Sequence, residues 1–158
     1  MPKTETYIVL HNVRSVHNVG SIFRTTDCLG ISNVLLCGYT PTPVDRFGRF
    51  RPDFAKVSLG AEKTVSWQKF KNINLALKFL QKQKVRIIGV EQAANAKDYK
   101  KVSAHPPVAF IFGNEVAGIP EAILKKCDTV AEIPMRGGKE SLNVSVAVGI
   151  AVSRMLGL

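Results

Sequence analysis

Three separated segments of this 158-residue sequence place polar and charged side chains beside glycines and apolar runs. These segments run from His11 to Thr25, from Phe112 to Pro120 and from Ile133 to Ala147. Side chains able to align a reacting group, or to stabilise charge developing on an oxygen, occur in all three. They are Asn18, Arg24, Glu115, Ser141 and Asn143.

A carboxylate and a guanidinium are the strongest charges among these candidates. In a chain with excess positive charge, we expect Glu115 to pair with Arg24 and to orient it. Arg24 follows Ile22 and Phe23 in an otherwise apolar stretch, where an arginine that is only solvated would be unusual. The simpler alternatives are a turn carboxylate, a surface arginine and, for Asn18, Ser141 and Asn143, helix capping.

The glycine-containing segment Gly113–Gly118 follows a predicted strand, as phosphate-binding loops do. A P-loop requires Lys and then Ser or Thr after its second glycine, but Ile119 and Pro120 follow here. The spacing also fails the GxGxxG pattern of dinucleotide-binding domains, and Glu115 would repel a phosphate. No GxSxG or HExxH motif occurs, and the three cysteines lack CxxC spacing, so we expect no metal.

Strands and helices alternate along the chain between and around these segments. Apolar, β-rich runs predict strands at Thr6–Leu10, Val34–Cys37, Thr64–Val65, Val85–Val90, Val108–Phe112 and Val130–Ile133. Helical periodicity and capping residues predict helices over Asn18–Leu29, Asn72–Gln83, Pro120–Cys127 and Ser141–Leu156, with a long loop from Gly38 to Gly60. This alternation predicts an α/β fold, with a mostly parallel sheet and helices on both faces. In such folds ligands bind at the carboxyl ends of strands, where the three segments fall.

The net charge of +10 and the pI near 9.8 indicate a partner rich in phosphate. The loop Asp45–Arg51 interleaves three arginines with two phenylalanines, a composition suited to phosphates and unstacked bases. A flexible basic loop without a partner is the alternative. The candidate nucleic-acid-binding residues are Arg14, Arg46, Arg49 and Arg51.

The predicted C-terminal helix is apolar on nearly all sides. One side can pack on the sheet, and we expect a second copy of the chain to cover the rest in a two-fold homodimer. The segment Met1–Thr6 lacks the apolar core of a signal peptide, and no apolar run reaches the ~20 residues of a membrane span. The sequence therefore predicts one domain, residues 1–158, with no membrane association and a cytoplasmic location.

In order and spacing, the three polar segments resemble the signature motifs of the SpoU/TrmH family of RNA 2′-O-methyltransferases, which belongs to the SPOUT class. The resemblance extends from Asn12 to the C-terminus and includes Ile-Pro-Met before Ser-Leu-Asn-Val-Ser. It implies a C-terminal deep trefoil knot, S-adenosyl-L-methionine bound in that knot, and a homodimer with residues of both subunits at each active site. It implies methyl transfer to a ribose 2′-hydroxyl of structured RNA. Transfer RNA is favoured over ribosomal RNA because many ribosomal-RNA members carry an additional N-terminal domain.

The resemblance also assigns roles to individual residues. It implies catalytic roles for Asn18, Arg24, Glu115, Ser141 and Asn143, and cofactor contacts for Glu91, Gly113, Ile133 and Leu142. Arg24 would accept the hydroxyl proton; since arginine normally keeps its own proton, electrostatic stabilisation of the alkoxide is the other role open to it. Two alternative functions are a non-catalytic RNA-binding protein of this fold and a base methyltransferase of the SPOUT class. All four of Arg24, Glu115, Ser141 and Asn143 are present, which disfavours the first.

Overall fold

The computed structural model describes residues 5–158, so part of the N-terminal segment used to exclude a signal peptide lies outside the described residues. Seven parallel strands form one sheet in the order β3-β2-β1-β6-β4-β7-β5. Because the strands are parallel, their carboxyl ends lie at one edge of the sheet. The strands are β1 Thr6–His11, β2 Asn33–Cys37, β3 Ser66–Phe70, β4 Arg86–Val90, β5 Lys97–Asp98, β6 Val108–Phe112 and β7 Thr129–Glu132.

Helices cover both faces of the sheet, and each face has its own apolar core. Helices α1 and α6 pack on one face, while α4 and α5 pack on the other. The apolar stripe expected on α4 is buried as predicted, at Ile73, Ala76, Leu77 and Leu80. The helices are α1 Val16–Cys28, α2 Pro52–Ser58, α3 Ala61–Thr64, α4 Ile73–Lys82, α5 Glu121–Leu124 and α6 Val144–Leu156.

The predicted α/β class and parallel sheet are confirmed. The trefoil knot stays a prediction from the resemblance. No helix within residues 5–158 is both long enough and apolar enough to cross a membrane.

The first helix begins earlier than predicted. Ser15, not Asn18, is the N-cap of α1, because the Ser15 hydroxyl accepts a hydrogen bond from the Asn18 backbone N–H. Asn18 is therefore inside the first turn and buried. The last helix begins later than predicted, at Val144 with Asn143 as its N-cap, so Ser141 lies in the preceding loop.

The region predicted as one loop from residue 38 to 60 contains a helix. Pro52 starts α2, and the buried ring of Phe54 packs edge-on against Phe23 of α1 at 5.1 Å between ring centroids. A Cβ at Gly20 would lie 3.1 Å from the Cβ of Val57, so glycine permits this close approach of the two helices. A seven-residue helix offers too few turns to reveal its periodicity in sequence.

Smaller differences concern strands and short helices. Thr64–Val65, predicted as a strand, is the end of α3 and its C-cap, and the strand follows at Ser66–Phe70. Helix α5 covers Glu121–Leu124, with Pro120 as the N-cap residue. Strand β5 and the 3-10 helix Tyr99–Lys101 were not predicted, since both are too short to show a hydrophobic period.

Candidate active site

A pocket of about 360 Å³ opens at the carboxyl edge of the sheet. The ends of β4, β6 and β7 form its floor, and the loop between β7 and α6 forms a wall. The four residues predicted to contact a cofactor all line it, as do two of the predicted catalytic residues. These six are Glu91, Gly113, Ile133, Leu142, Glu115 and Ser141. The pocket therefore lies where the rule that ligands bind beyond the carboxyl ends of parallel strands predicts a ligand site.

Gly113 is required for the shape of the loop itself. A Cβ at this position would lie 2.4 Å from the carbonyl carbon of Gly118 and 2.6 Å from the backbone nitrogen of Ile119. From the sequence, Gly113 is predicted to allow a ligand to approach the backbone closely. In the structure, the group that lies close to Gly113 is the backbone of Gly118 and Ile119, on the opposite side of the same loop.

Glu91 joins the end of β4 to this loop. Its Oε2 accepts a hydrogen bond from the Ile119 N–H at 2.9 Å, and its Oε1 accepts one from the Gln92 N–H at 2.9 Å. Gly118 has φ +67°, and a Cβ there would collide with Glu91 Oε2. Glu91 therefore fixes the pocket wall with the same oxygens that could otherwise contact a ligand.

The pocket combines apolar side chains with exposed backbone and polar groups. Val90, Ile133, Met135 and Leu142 supply apolar surface, and Leu142 remains 38% exposed. On the polar side, Gln92 Nε2 donates to the Glu140 carbonyl at 2.7 Å, which links β4 to the loop before α6. This mixed lining fits a ligand that has both a flat apolar ring and polar groups.

Asn114 organises the mouth of the pocket, and the sequence analysis did not assign it a role. Its Nδ2 donates to the Asn12 carbonyl at 2.8 Å and to the Tyr39 hydroxyl at 3.0 Å. Its Oδ1 accepts from the N–H groups of Val116 and Ala117. One side chain thus joins the loops that follow β1, β2 and β6. Its position directly after a buried strand was the available sequence signal.

The predicted pairing of Glu115 with Arg24 is wrong within one chain. The Glu115 carboxylate accepts from the N–H groups of Arg14 at 2.9 Å and Ser15 at 3.0 Å, about 100 residues away in sequence. These amides precede α1 and would otherwise lack partners, so they compete successfully for the carboxylate. Glu115 therefore attaches the start of α1 to the pocket.

A second polar contact joins the starts of α1 and α6. Asn143 Nδ2 donates to Asn18 Oδ1 at 3.1 Å, while Asn143 Oδ1 caps α6 through the Ser145 N–H. The structure therefore brings these two predicted catalytic residues together, although neither lines the pocket. Capping and a further role are compatible for Asn143, because its amide uses different atoms for the two contacts.

Arg24 lies apart from the other predicted catalytic residues. It is exposed, and within residues 5–158 its guanidinium forms no hydrogen bond or ion pair. Six residues separate it from Asn18, which corresponds to about 9 Å along the axis and a different side of α1. Within a single chain, Arg24 therefore does not reach the pocket.

The arginines predicted to contact RNA differ in their present contacts. Arg49 pairs with Asp45 at 3.3 Å, and Arg51 pairs with Asp53 at 2.9 Å, which lowers the pKa of Asp53. Arg46 makes no ion pair within the described residues, and its guanidinium stacks 4.9 Å from the centroid of Phe47, a side chain that is 66% exposed. The loop is held in shape by Asp45 and presents Arg46 and Phe47 outward.

Two titratable side chains behind the site are neutral at physiological pH. His11 and Cys37 are partners in the β1–β2 register. Burial lowers the pKa of His11 and raises the pKa of Cys37 to about 12. Neither can therefore act as a charged acid or a thiolate nucleophile near pH 7. Within residues 5–158, no group of three His, Cys, Asp or Glu side chains is arranged to hold a metal ion.

The fold and the pocket define an α/β domain with a candidate ligand site at the carboxyl edge of a parallel sheet. The profile of the SpoU rRNA methylase family matches residues 5–153, and the chain belongs to this family. The resemblance deduced from the three polar segments is confirmed.

Named relatives agree with this assignment. The chain is 32% identical over 145 residues to the 23S rRNA (guanosine-2'-O-)-methyltransferase RlmB of Coxiella burnetii. The match covers 92% of this chain and 55% of that relative. It is 32% identical to a protein of Staphylococcus saprophyticus named for the TrmH family of tRNA/rRNA methyltransferases, and the match covers 94% of this chain and 57% of that protein. The chain thus spans a little over half the length of these curated relatives.

The fold agrees as well. The crystal structure of an AdoMet-bound rRNA methyltransferase from Sinorhizobium meliloti superposes with a TM-score of 0.82 and 29% identity, covering 98% of this chain and 57% of that one. That relative was solved with its methyl donor bound. The lining of the present pocket is compatible with a ligand of the same chemistry.

Proposed function

We propose that this chain transfers a methyl group from S-adenosyl-L-methionine to a ribose 2′-hydroxyl of structured RNA. The observation that carries the proposal is one pocket that gathers Glu91, Gly113, Ile133 and Leu142 with Glu115 and Ser141. Family membership and the methyl donor in the S. meliloti relative support it.

The residues present suit this cofactor. Val90, Ile133 and Leu142 would hold its adenine, and the backbone around Gly113 would face its polar groups. When bound, the cofactor supplies an electrophilic methyl group. The chain's own residues then need only to align the hydroxyl and to stabilise its negative charge while its proton passes to solvent water and the demethylated thioether of the cofactor leaves.

Arg24 is the residue we assign to the hydroxyl, acting in a homodimer. Helix α1, which carries Arg24, packs beside α6. The outward side of α6 is apolar, with Val146 48% and Ile150 39% exposed. A second copy that covers this stripe would also lie next to α1, and could receive Arg24 near its own pocket. The planar guanidinium would stabilise the alkoxide without giving up its proton.

The RNA would contact the loop Asp45–Arg51 and the mouth of the pocket. Arg46 offers a guanidinium that no carboxylate neutralises among the described residues. Phe47 offers a largely exposed ring on which an unstacked base would lie by displacing the Arg46 or Arg49 guanidinium, which now lie 4.9 and 5.1 Å from its centroid. Arg14, whose backbone N–H is held by Glu115, lies beside the pocket and extends this surface. The net charge of +10 favours association with any RNA. These residues would therefore fix where on the protein the RNA binds rather than add general electrostatic attraction. We expect the protein to act in the cytoplasm.

Nucleoside mass spectrometry tests this proposal directly. Transfer RNA and ribosomal RNA are isolated separately from a strain that lacks the gene and from its parent, and are then digested completely. We expect one 2′-O-methylated nucleoside to disappear from one fraction and to return when the gene is restored. Loss of a base-methylated nucleoside would indicate base methylation instead, and unchanged RNA would support a non-catalytic binding protein.

A further inference from the structure

A second concave surface lies at the edge of the sheet opposite the pocket, where β4 and β7 begin. It has a volume of about 550 Å³ and is lined in part by Lys84, Arg86, Lys126 and Asp128. A neighbouring depression on α4 contains Lys78 and Lys82 and shares Gln81 with the first. We call the combined surface, defined by Lys78, Lys82, Lys84, Arg86 and Lys126, the lysine groove.

We propose that the lysine groove binds the phosphate backbone of the RNA substrate at a distance from the methylated nucleotide. This inference rests on the proposed function, because it assumes that the substrate is a structured RNA. The groove would raise the affinity for the RNA and orient it, and would take no part in the methyl transfer.

The charges in the groove favour an anionic partner. Its lining contains five cationic side chains and one carboxylate, that of Asp128. Asp128 Oδ2 already accepts from the Ile87 N–H at 2.8 Å, so it is engaged with the backbone. Lys78, Lys82, Lys84 and Lys126 are all exposed. Four exposed ammonium groups are therefore available to phosphates in two adjoining depressions.

Helix stability explains only part of this arrangement: the helix dipole favours Lys82 in the last turn of α4, but it gives no reason for a second lysine one turn earlier. Lys78 and Lys82 are four residues apart on α4, where like charges repel and weaken a helix slightly. Lys84 extends the cluster beyond the end of the helix, in a turn with φ +57°. A bound polyanion would relieve the repulsion among these side chains.

Two of the cations are held in fixed positions. Arg86 donates from Nη1 to the Ser103 carbonyl at 2.8 Å and from Nη2 to Thr129 Oγ1 at 3.1 Å. Lys126 Nζ donates to Asn74 Oδ1 at 2.8 Å. Positions fixed before binding reduce the entropy cost of binding a partner.

The location of the groove fits a long substrate. Strand β4 runs from Arg86 in the groove to Val90 in the pocket, a separation of about 13 Å at the usual rise per residue. An RNA that touches both places must therefore extend beyond one nucleotide. Helices α4 and α5 border the groove, whereas α1 and α6 cover the other face, so the proposed homodimer would leave the groove open.

A charge-matched pair of variants tests the inference. The groove variant is Lys78→Gln, Lys82→Gln and Lys126→Gln. The control, Lys97→Gln, Lys100→Gln and Lys101→Gln, removes the same charge from exposed residues around β5. RNA affinity is measured by fluorescence anisotropy with unfractionated tRNA and with fragmented ribosomal RNA, between about 50 and 200 mM salt. Calorimetry measures S-adenosylmethionine affinity.

We expect the groove variant to weaken RNA binding about tenfold and to reduce the slope of log affinity against log salt by about 0.9 for each phosphate that the protein no longer neutralises. The control should change affinity much less, and both variants should bind the cofactor like the unmodified protein. Equal RNA affinities for the two variants would overturn the inference, as would an unmodified protein that binds neither RNA. An unmodified protein that binds RNA through the groove but transfers no methyl group would overturn the proposed function alone.

Discussion

The pocket and the outward side of α1 differ in how completely a single chain builds them. The pocket gathers segments from β4, β6 and β7, and its walls are closed by a hydrogen bond that Glu91 accepts from the Ile119 N–H and one that Gln92 donates to the Glu140 carbonyl. Arg24, in contrast, is exposed on α1 and makes no polar contact within residues 5–158. One chain thus closes the walls of the pocket by itself but leaves Arg24 without a partner among the described residues, so we expect cofactor binding and methyl transfer to be separable by mutation.

The physical basis of this difference is the direction of the elements. Parallel strands bring their carboxyl ends together automatically, so residues that follow β4, β6 and β7 meet without any further device. A residue in the middle of a helix meets another site only if that site packs against its side of the helix. The side of α1 that carries Arg24 meets no pocket in the described part of its own chain.

The largest expected effect comes from Arg24→Ala. It should slow methyl transfer by about 100- to 1000-fold, because the guanidinium no longer stabilises the developing charge. S-adenosylmethionine affinity should remain unchanged. Single-turnover methyl transfer to RNA and calorimetry measure the two quantities. Arg24→Lys should fail as well, since an ammonium lacks the planar fork. Near-normal transfer by Arg24→Ala would make Ser141 or Asn143 the next candidate.

The second prediction tests whether Leu142 contacts the cofactor in the pocket. Leu142→Arg should weaken S-adenosylmethionine binding by about 100-fold, because the larger side chain occupies the adenine site at a cost of roughly 1–3 kcal/mol. Leu158→Arg, at an exposed leucine outside the pocket, is the control. If calorimetry gives equal affinities for both variants, Leu142 does not border the cofactor.

The third prediction concerns the proposed dimer. Val146→Lys combined with Ile150→Lys places two charges on the apolar stripe of α6 and should produce a monomer in light scattering. The monomer should bind the cofactor but transfer methyl groups poorly, because Arg24 would lack a partner pocket. Leu75→Lys, at an exposed leucine on α4, should change neither property. A monomeric unmodified protein at micromolar concentration would contradict the dimer.

The fourth prediction separates the three loop arginines. Arg46→Glu should weaken RNA binding about tenfold, because its guanidinium has no carboxylate partner within residues 5–158 and one good contact is worth about 1–3 kcal/mol. Arg49→Glu and Arg51→Glu should have smaller effects, since Asp45 and Asp53 already neutralise these side chains. Cofactor affinity should not change in any of them. Equal losses at all three positions would mean that only net charge matters.

The smallest expected effect is a loss of stability at Ser15, where α1 begins beside the Glu115 contact with the pocket. Ser15→Ala removes the α1 cap beside the Glu115 contact and should lower the free energy of unfolding by about 1 kcal/mol. Urea denaturation measures this change, and Ser66→Ala, at an exposed serine on β3, is the control. A loss of methyl transfer larger than the loss of stability would indicate that the position of α1 also matters for the chemistry.

The sequence predicted well wherever local pattern and strand direction decide the outcome. The buried stripe of α4, the parallel sheet and the six pocket residues followed from hydrophobic period, strand–helix alternation, the ligand rule for parallel sheets and the family resemblance. It failed where two nearby residues compete for one role. Both Ser15 and Asn18 can cap α1, and only the positions of their side chains relative to the free N–H groups decide between them.

What the sequence by itself determined is which segments meet around the pocket, because polar residues in three ordered segments follow strands whose carboxyl ends must converge. What only the tertiary structure decided is which residues are partners. Glu115 contacts the amides before α1 rather than Arg24, and Asn114 joins three loops. The physical reason is distance along the chain. These partners are between 75 and 102 residues apart, and no local period links them.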